Sequence, residues 1–196
     1  SKCLLIYRDN DLYLHLKHAT SRDTEKDIQM SVKRAISMLL MADSVNCRQH
    51  EILRYFDDHE NAPLDCSSCD NCIRKQINTL LDVKDQAKSI CQMVDSCDRS
   101  NTQSTIENVI LAFCGSKSKK VKDLVNCDGY NQAVLPFKSQ LQAKSLLYFL
   151  IREGFVKLNV KRGRKSNTIS NLLLEQNGHR LVRNEYDESI TYLVRK

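Results

Sequence analysis

No stretch of this 196-residue sequence approaches 18 uncharged apolar residues, so nothing in it reads as a membrane-spanning helix. The opening segment, SKCLLIYRDND, has too short an apolar run for a secretory signal peptide, and the expectation is a chain neither membrane-bound nor secreted. No GxxxxGK(S/T) stretch occurs, so the phosphate-cradling loop of that motif is missing and the chain is not expected to hydrolyse ATP by itself. Internal repeats and low-complexity tracts are absent too. Residues 156–185 contain no Phe, Tyr or Trp, which excludes aromatic stacking on bases from that stretch.

What is present is enough for a buried core: 41% of residues are hydrophobic, and the length allows one domain or two small ones. Nine cysteines, an odd number, fit a reducing compartment better than a disulfide framework. Those within apolar helical patterns, Cys91, Cys114 and Cys127, read as small core residues. Charge is divided unevenly. Residues 1–75 carry 11 basic and 12 acidic residues, while 117–165 carry 12 basic and 3 acidic. Such a density implies an anionic partner if the charges share a face, although a solvated surface has the same composition.

Along the chain, CLLIY at 3–7 has the look of a buried strand, and Leu12, Leu16 and Ala19 suggest a first helix. Thr24 and Asp27 open a second as a capping box would, with Ile28, Val32, Ile36 and Leu39 at helical spacing, so the two read as a helical hairpin. The segment RKQINTLLDVKDQ reads as a polar connection, and a domain boundary is placed within 76–84. Further helices are marked by Val83, Ala87, Ile90 and Val94, by Ile106, Ile110 and Phe113, and, in a short one, by Val121, Leu124 and Val125. Gly115 is expected to end the second of these. A fourth spans 138–153 and stops at Gly154, followed by a hairpin, FVKLNV and TISNLLLE around a KRGRKSN loop. Three helices and then a two-stranded hairpin with a basic tip is the order of a winged helix. The expected fold class is therefore mainly α with a small β-hairpin: a helical-hairpin zinc-binding subdomain over 1–80, then a winged-helix domain over 81–196.

The zinc expectation comes from DCSSCDNC at 65–72, where Cys66, Cys69 and Cys72 are evenly spaced and one partner short. The nearest upstream cysteine, Cys47, completes Cys-x18-Cys-x2-Cys-x2-Cys. Two-residue spacings let neighbouring sulfurs point at one ion, with the fourth ligand delivered by a separate element, as closed structural zinc sites require. His50 or His59 in place of Cys47 is an alternative, and a CxxC redox function is another, disfavoured because a distant fourth cysteine suits a closed site better.

At these residues the sequence resembles the RecQ DNA helicases, in the region after their motor domains. CRQHEILRYFDD followed by CSSCDNC is similar to the RecQ zinc subdomain, with its Cys-Arg start, Tyr-Phe pair and closing Cys-Asp-x-Cys. SKCLLIYRDNDLYLHLKH looks like the exit of the second motor domain, most like the Bloom-syndrome type of eukaryotic RecQ, and AFCGSKSKKVKDL resembles the Phe-Arg-Gly-Ser-x-Ser-x-Lys segment that opens a DNA-facing helix. The resemblance implies a zinc subdomain plus winged helix from an ATP-dependent 3′–5′ helicase, acting on duplex ends, forks or junctions in DNA repair and recombination, in the nucleus. The motor domains would act in cis and hold ATP and Mg2+, whereas this segment would hold only a structural Zn2+.

For the grip on DNA, Ser116, Lys117, Ser118, Lys119 and Lys120 run into the start of a short helix and can hold phosphate. Lys161, Arg162, Arg164 and Lys165 at the wing tip would add a second contact, and Lys138 a further one. Two departures stand out: Cys114 replaces the family's Arg, and the wing lacks the stacking aromatic of some relatives. Specificity is expected for structure rather than sequence. A winged helix that docks an acidic protein partner is the alternative reading, and a freestanding zinc-containing transcription regulator a third. Neither the His15, His18 pair nor Tyr186 and Tyr192 is assigned a role.

Overall fold

The computed structural model describes residues 3–8, 11–21, 24–58, 60–74, 78–100, 102–162 and 168–195. Helix α1 (Asp11–Ala19) buries Leu12, Leu16 and Ala19 against α2 (Glu25–Asp43), whose inward face is Ile28, Val32, Ile36, Leu39 and Leu40. The Thr24 hydroxyl accepts the Asp27 N–H at 3.1 Å, the N-terminal half of the expected cap. Two short helices follow, α3 (Arg48–Tyr55) and α4 (Asp70–Arg74).

A second group is built on α5 (Lys84–Arg99) and α6 (Ile106–Phe113), a 3-10 helix (Lys119–Leu124), α7 (Gln140–Arg152), the strands β2 (Val156–Arg162) and β3 (Thr168–Leu174), and α8 (Gln176–Val182). Thr105 and Ser139 cap α6 and α7, each hydroxyl accepting a backbone N–H three residues on. Gly115, at φ +74°, ends α6 as expected: its N–H reaches Ala112 O and that of Ser116 reaches Leu111 O, closing off carbonyls the helix leaves unpaired. Strands β2 and β3 pair antiparallel from Val156↔Leu174 to Arg162↔Thr168, so the hairpin is present and its first arm runs two residues further than expected. Of the predicted loop, 161–167, residues 163–167 lie outside the described residues.

Two stretches depart from the sequence reading. Within the expected polar connection, Asn78–Asp82 forms β1, which pairs antiparallel with β4 (Thr191–Arg195); the expected boundary after residue 80 falls inside this strand. Such a pairing, more than a hundred residues apart, leaves no local signal. CLLIY at 3–7 is neither buried nor in a strand, with Leu4 82% and Ile6 80% exposed, because no strand lies beside it among the described residues. The Tyr7 hydroxyl there donates to Asp43 at the end of α2.

Buried side chains form one continuous cluster from Leu12 to Ile190, which includes Ile90, Met93, Ile110, Phe113, Leu146 and Leu150. Helix α2 joins it by packing against α7 and β2, and Gln29 donates to Val160 O at 3.3 Å. Cys91 and Cys97 sit in this core, their thiols pushed up to about 12 and about 11 by burial. Tyr186 packs edge-on against Phe155, and Tyr192 against Phe149, as ordinary core-lining aromatics.

Helix α8 was not anticipated, and its close seat depends on one residue. Gly178 is buried, and a Cβ there would stand 2.2 Å from the Phe155 carbonyl oxygen. Gly178→Ala is therefore expected to force α8 off the start of β2 and to destabilise the fold by about 1–3 kcal/mol. Thermal unfolding checks this: a melting temperature equal to that of the parent would mean α8 has room to move.

Candidate metal centre and basic surface

Residues 44–74 have almost no apolar interior: among those described, only Cys47 and Glu51 are buried. What gathers there is sulfur. Cys47 is the N-cap of α3, Cys69 immediately precedes α4, Cys72 lies within it, and Cys66 is on the turn before it. The four Sγ atoms all lie within 4.8 Å of one another, with Cys66 and Cys72 4.0 Å apart. A tetrahedral ion with Zn–S bonds of about 2.3 Å needs sulfurs about 3.8 Å apart, so the donor set fits zinc after a small contraction. Among the described residues this is the one grouping of metal-type ligands. His50 is outside it, and His59 lies outside the described residues.

Backbone N–H groups already point at the sulfurs. Arg48 N–H and Cys72 N–H face Cys69 Sγ at 3.5 and 3.4 Å, and Cys69 N–H faces Cys66 Sγ at 3.4 Å. Hydrogen bonds from the Ser68 hydroxyl and from backbone N–H groups hold the Cys66 thiol down to about 6. At Cys69 burial works the other way, yet the N–H groups of Arg48 and Cys72 outweigh it and the thiol is lowered. Cys72 is raised, by burial and then by its hydrogen bond with Cys69. Four thiolates this close cannot all ionise without a cation among them, and a divalent ion removes that conflict.

Around the sulfurs is a shell that the sequence reading missed. The Arg48 guanidinium meets Asp70 with two bonds, Nε to Oδ1 at 3.0 Å and NH2 to Oδ2 at 3.1 Å, and this holds the Asp70 carboxyl low. Its third nitrogen donates to the carbonyls of Met41, Ala42 and Ser44, supplying the positive charge that the last turn of α2 lacks. Asn71 Nδ2 donates to Ser44 O and Asn46 O at 2.8 and 2.7 Å. On the far side, buried Glu51 accepts from Ser44 Oγ, Asn46 Nδ2 and, at 3.4 Å, Arg152 of α7. The cysteine region is thus pinned both to α2 and to α7. Arg48 and Asp70 each adjoin a cysteine in the quoted motif, and that adjacency was the available signal.

The basic residues are more dispersed. Ser116 to Lys120 leave α6 and enter the 3-10 helix, where Ser118 Oγ accepts the Lys120 N–H at 3.4 Å. Lys117 and Lys119 are exposed with no ion pair among the described residues, whereas Lys120 Nζ pairs with Glu107 Oε1 at 2.9 Å. Lys138 is exposed just before the cap of α7. Lys161 is exposed near the end of β2, Arg162 is its last residue, and Arg164 and Lys165 lie outside the described residues. Cys114 is half-buried, its thiol raised by burial, with Sγ 3.9 Å from Phe137 O. No helix of the described residues is long and apolar enough to cross a membrane.

Residues 9–73 match the RecQ zinc-binding family. The chain is similar to the ATP-dependent DNA helicase RecQ of Bacillus subtilis (strain 168), 25% identical over 186 residues, which is 94% of this chain and 29% of that protein. It is also similar to the RecQ-like DNA helicase BLM of Xenopus laevis, 29% identical over 143 residues, 62% of this chain and 10% of that protein. The chain thus spans less than a third of the length of either relative. The matched stretch contains all four clustered cysteines, and its cofactor is a structural Zn2+.

Proposed function

We propose that this chain is the zinc-binding and winged-helix portion of a RecQ-type ATP-dependent 3′–5′ DNA helicase, and that it holds duplex ends, forks or junctions by their backbones. The observation that carries this reading is the convergence of four thiols inside the stretch that matches the RecQ zinc-binding family. Cys47, Cys66, Cys69 and Cys72 would be the zinc ligands, all four protein sulfurs, so the ion would be closed to water and serve folding rather than catalysis. ATP and Mg2+ would belong to motor domains in cis. A nuclear location and a role in repair and recombination follow from the same reading.

The order α5, α6, 3-10 helix, α7 and the β2–β3 hairpin supports a winged helix for residues 81–196, with 1–80 forming the zinc subdomain and the exit from the motor. Lys117, Lys119 and the Ser116 and Ser118 hydroxyls would hold phosphates at one place, with Lys138 nearby in sequence and Lys161, Arg162, Arg164 and Lys165 at the wing. Lys120 would contribute only when Glu107 releases it, which costs little because both groups are largely exposed. Backbone contacts of this kind read shape rather than sequence.

Fluorescence anisotropy of a labelled forked duplex at several salt concentrations tests the reading. The expected result is tight binding at low salt that weakens linearly on a log–log plot, with a slope of about −0.9 for each phosphate neutralised. Absence of binding at low salt would assign the basic surface to an acidic protein partner instead.

A further inference from the structure

The turn that leads into α7 is tied down along its whole approach. Tyr130 Oη donates to Ser116 O at 3.1 Å, Asn131 N–H to Ala112 O at 3.0 Å, Ala133 N–H to Phe113 O at 3.2 Å, and Val134 N–H to Gln86 Oε1 at 3.2 Å. Phe137 N–H then closes a four-residue turn onto Val134 O at 2.7 Å, and the Phe137 ring is 2% exposed. So firmly anchored a loop has every opportunity to bury its apolar side chains, yet at its apex Leu135 is 78% and Val134 53% exposed. An isolated exposed leucine would mean little. This one has a particular setting, because the same hydrogen bonds lay the turn alongside residues 112–116, where the Ser116–Lys120 segment begins, and Lys138 follows directly after Phe137.

We propose that Val134 and Leu135 form an apolar wedge that seats against the terminal base step of a DNA duplex and opens its end pair, while the flanking lysines hold the adjoining phosphates. This rests on the DNA-gripping reading above and adds to it the place where strands part. Leucine and proline wedges unstack base steps by replacing a base neighbour with apolar surface, and a terminal pair, stacked on one side only, is the least costly to open. Rigid anchoring matters, since a wedge that gives way under load does not part strands; the hydrogen bonds from Tyr130 to Val134 before the apex and the buried Phe137 after it supply that stiffness before DNA arrives. With no aromatic in residues 156–185, the wing itself offers no stacking surface for the task.

The test uses this chain and a blunt duplex carrying the fluorescent base 2-aminopurine in its end pair, at low salt and saturating protein, with anisotropy measured on the same samples. The parent is expected to bind and to raise the 2-aminopurine signal by unstacking. The double variant Val134→Ser, Leu135→Ser is expected to remain bound at saturating protein, with an unchanged circular dichroism spectrum, while the rise falls several-fold; Leu135→Met alone is expected to retain it. An equal rise in the serine variant, or binding by the parent with no rise, would overturn the wedge and leave the phosphate grip standing. Failure of the parent to bind at all would overturn both.

Discussion

Chelating the metal, or replacing Cys66 by Ser, is expected to release residues 44–74 into rapid amide exchange while 84–160 stays protected. The reason is the near-absence of a core there: Cys47 and Glu51 are the only buried residues among those described in that stretch. Structural zinc sites of this kind contribute on the order of 10 kcal/mol at neutral pH, and among the described residues of 44–74 no hydrophobic cluster stands behind the metal to replace it. The C-terminal group keeps Ile90, Met93, Ile110, Phe113, Leu146 and Leu150 whether or not zinc is bound. Helix α2 should respond in between, because its C-terminal carbonyls lose Arg48 but its apolar face still packs on α7 and β2.

Acid should act in the same direction. Cys66 has its thiol lowered from the ordinary 9.0 to about 6, so what its thiolate contributes is fully present above the unfolded value and is lost as pH falls through the folded one. Protons then compete with zinc for sulfur, and metal release on acidification should track the loss of protection in 44–74. Hydrogen-exchange mass spectrometry with a zinc-sensitive dye reads both together. Loss of protection throughout 84–160 in step with 44–74 would show one cooperative unit, coupled through Glu51 and Arg152, in place of a metal-held region on a self-sufficient core.

How much of this was legible in the sequence follows the range of the interactions. Helices α1, α2, α5, α6 and α7 announced themselves because a helix repeats its signal every three or four residues, and the cap at Thr24 is equally local. The cysteine spacing was legible because two-residue gaps are a local constraint. By contrast, β1 finds its partner β4 at the other end of the chain, and Glu51 meets Arg152 a hundred residues away. Neither contact leaves a trace in either segment alone. CLLIY misled for a related reason: its composition suits a strand, but a strand is made by its neighbour. Leu135 was invisible as a candidate because nothing in LPF distinguishes the leucine that is shown to solvent from the phenylalanine that anchors it.

Replacing Lys117, Lys119, Lys161, Arg162, Arg164 and Lys165 together by alanine is expected to weaken binding to forked DNA by on the order of 10⁴-fold at physiological salt. The estimate comes from counterions. Each cation that neutralises a phosphate releases condensed counterion, so losing six contacts should flatten the log–log salt slope by about 5 and reduce the affinity most at low salt. Lys117, Lys119 and Lys161 are solvent-exposed, so the fold should be untouched, which thermal unfolding of the variant would show. Splitting the set separates the two proposed places of contact: the pair Lys117, Lys119 should account for about one third of the slope change and the hairpin residues for the rest. Lys120 provides an internal control of opposite sign. Its ammonium is held by Glu107 at 2.9 Å, so Glu107→Gln should free it for phosphate and steepen the slope by about 0.9 rather than flatten it. A flattening in Glu107→Gln, or a six-fold variant with the parent's slope, would place the DNA elsewhere on the molecule.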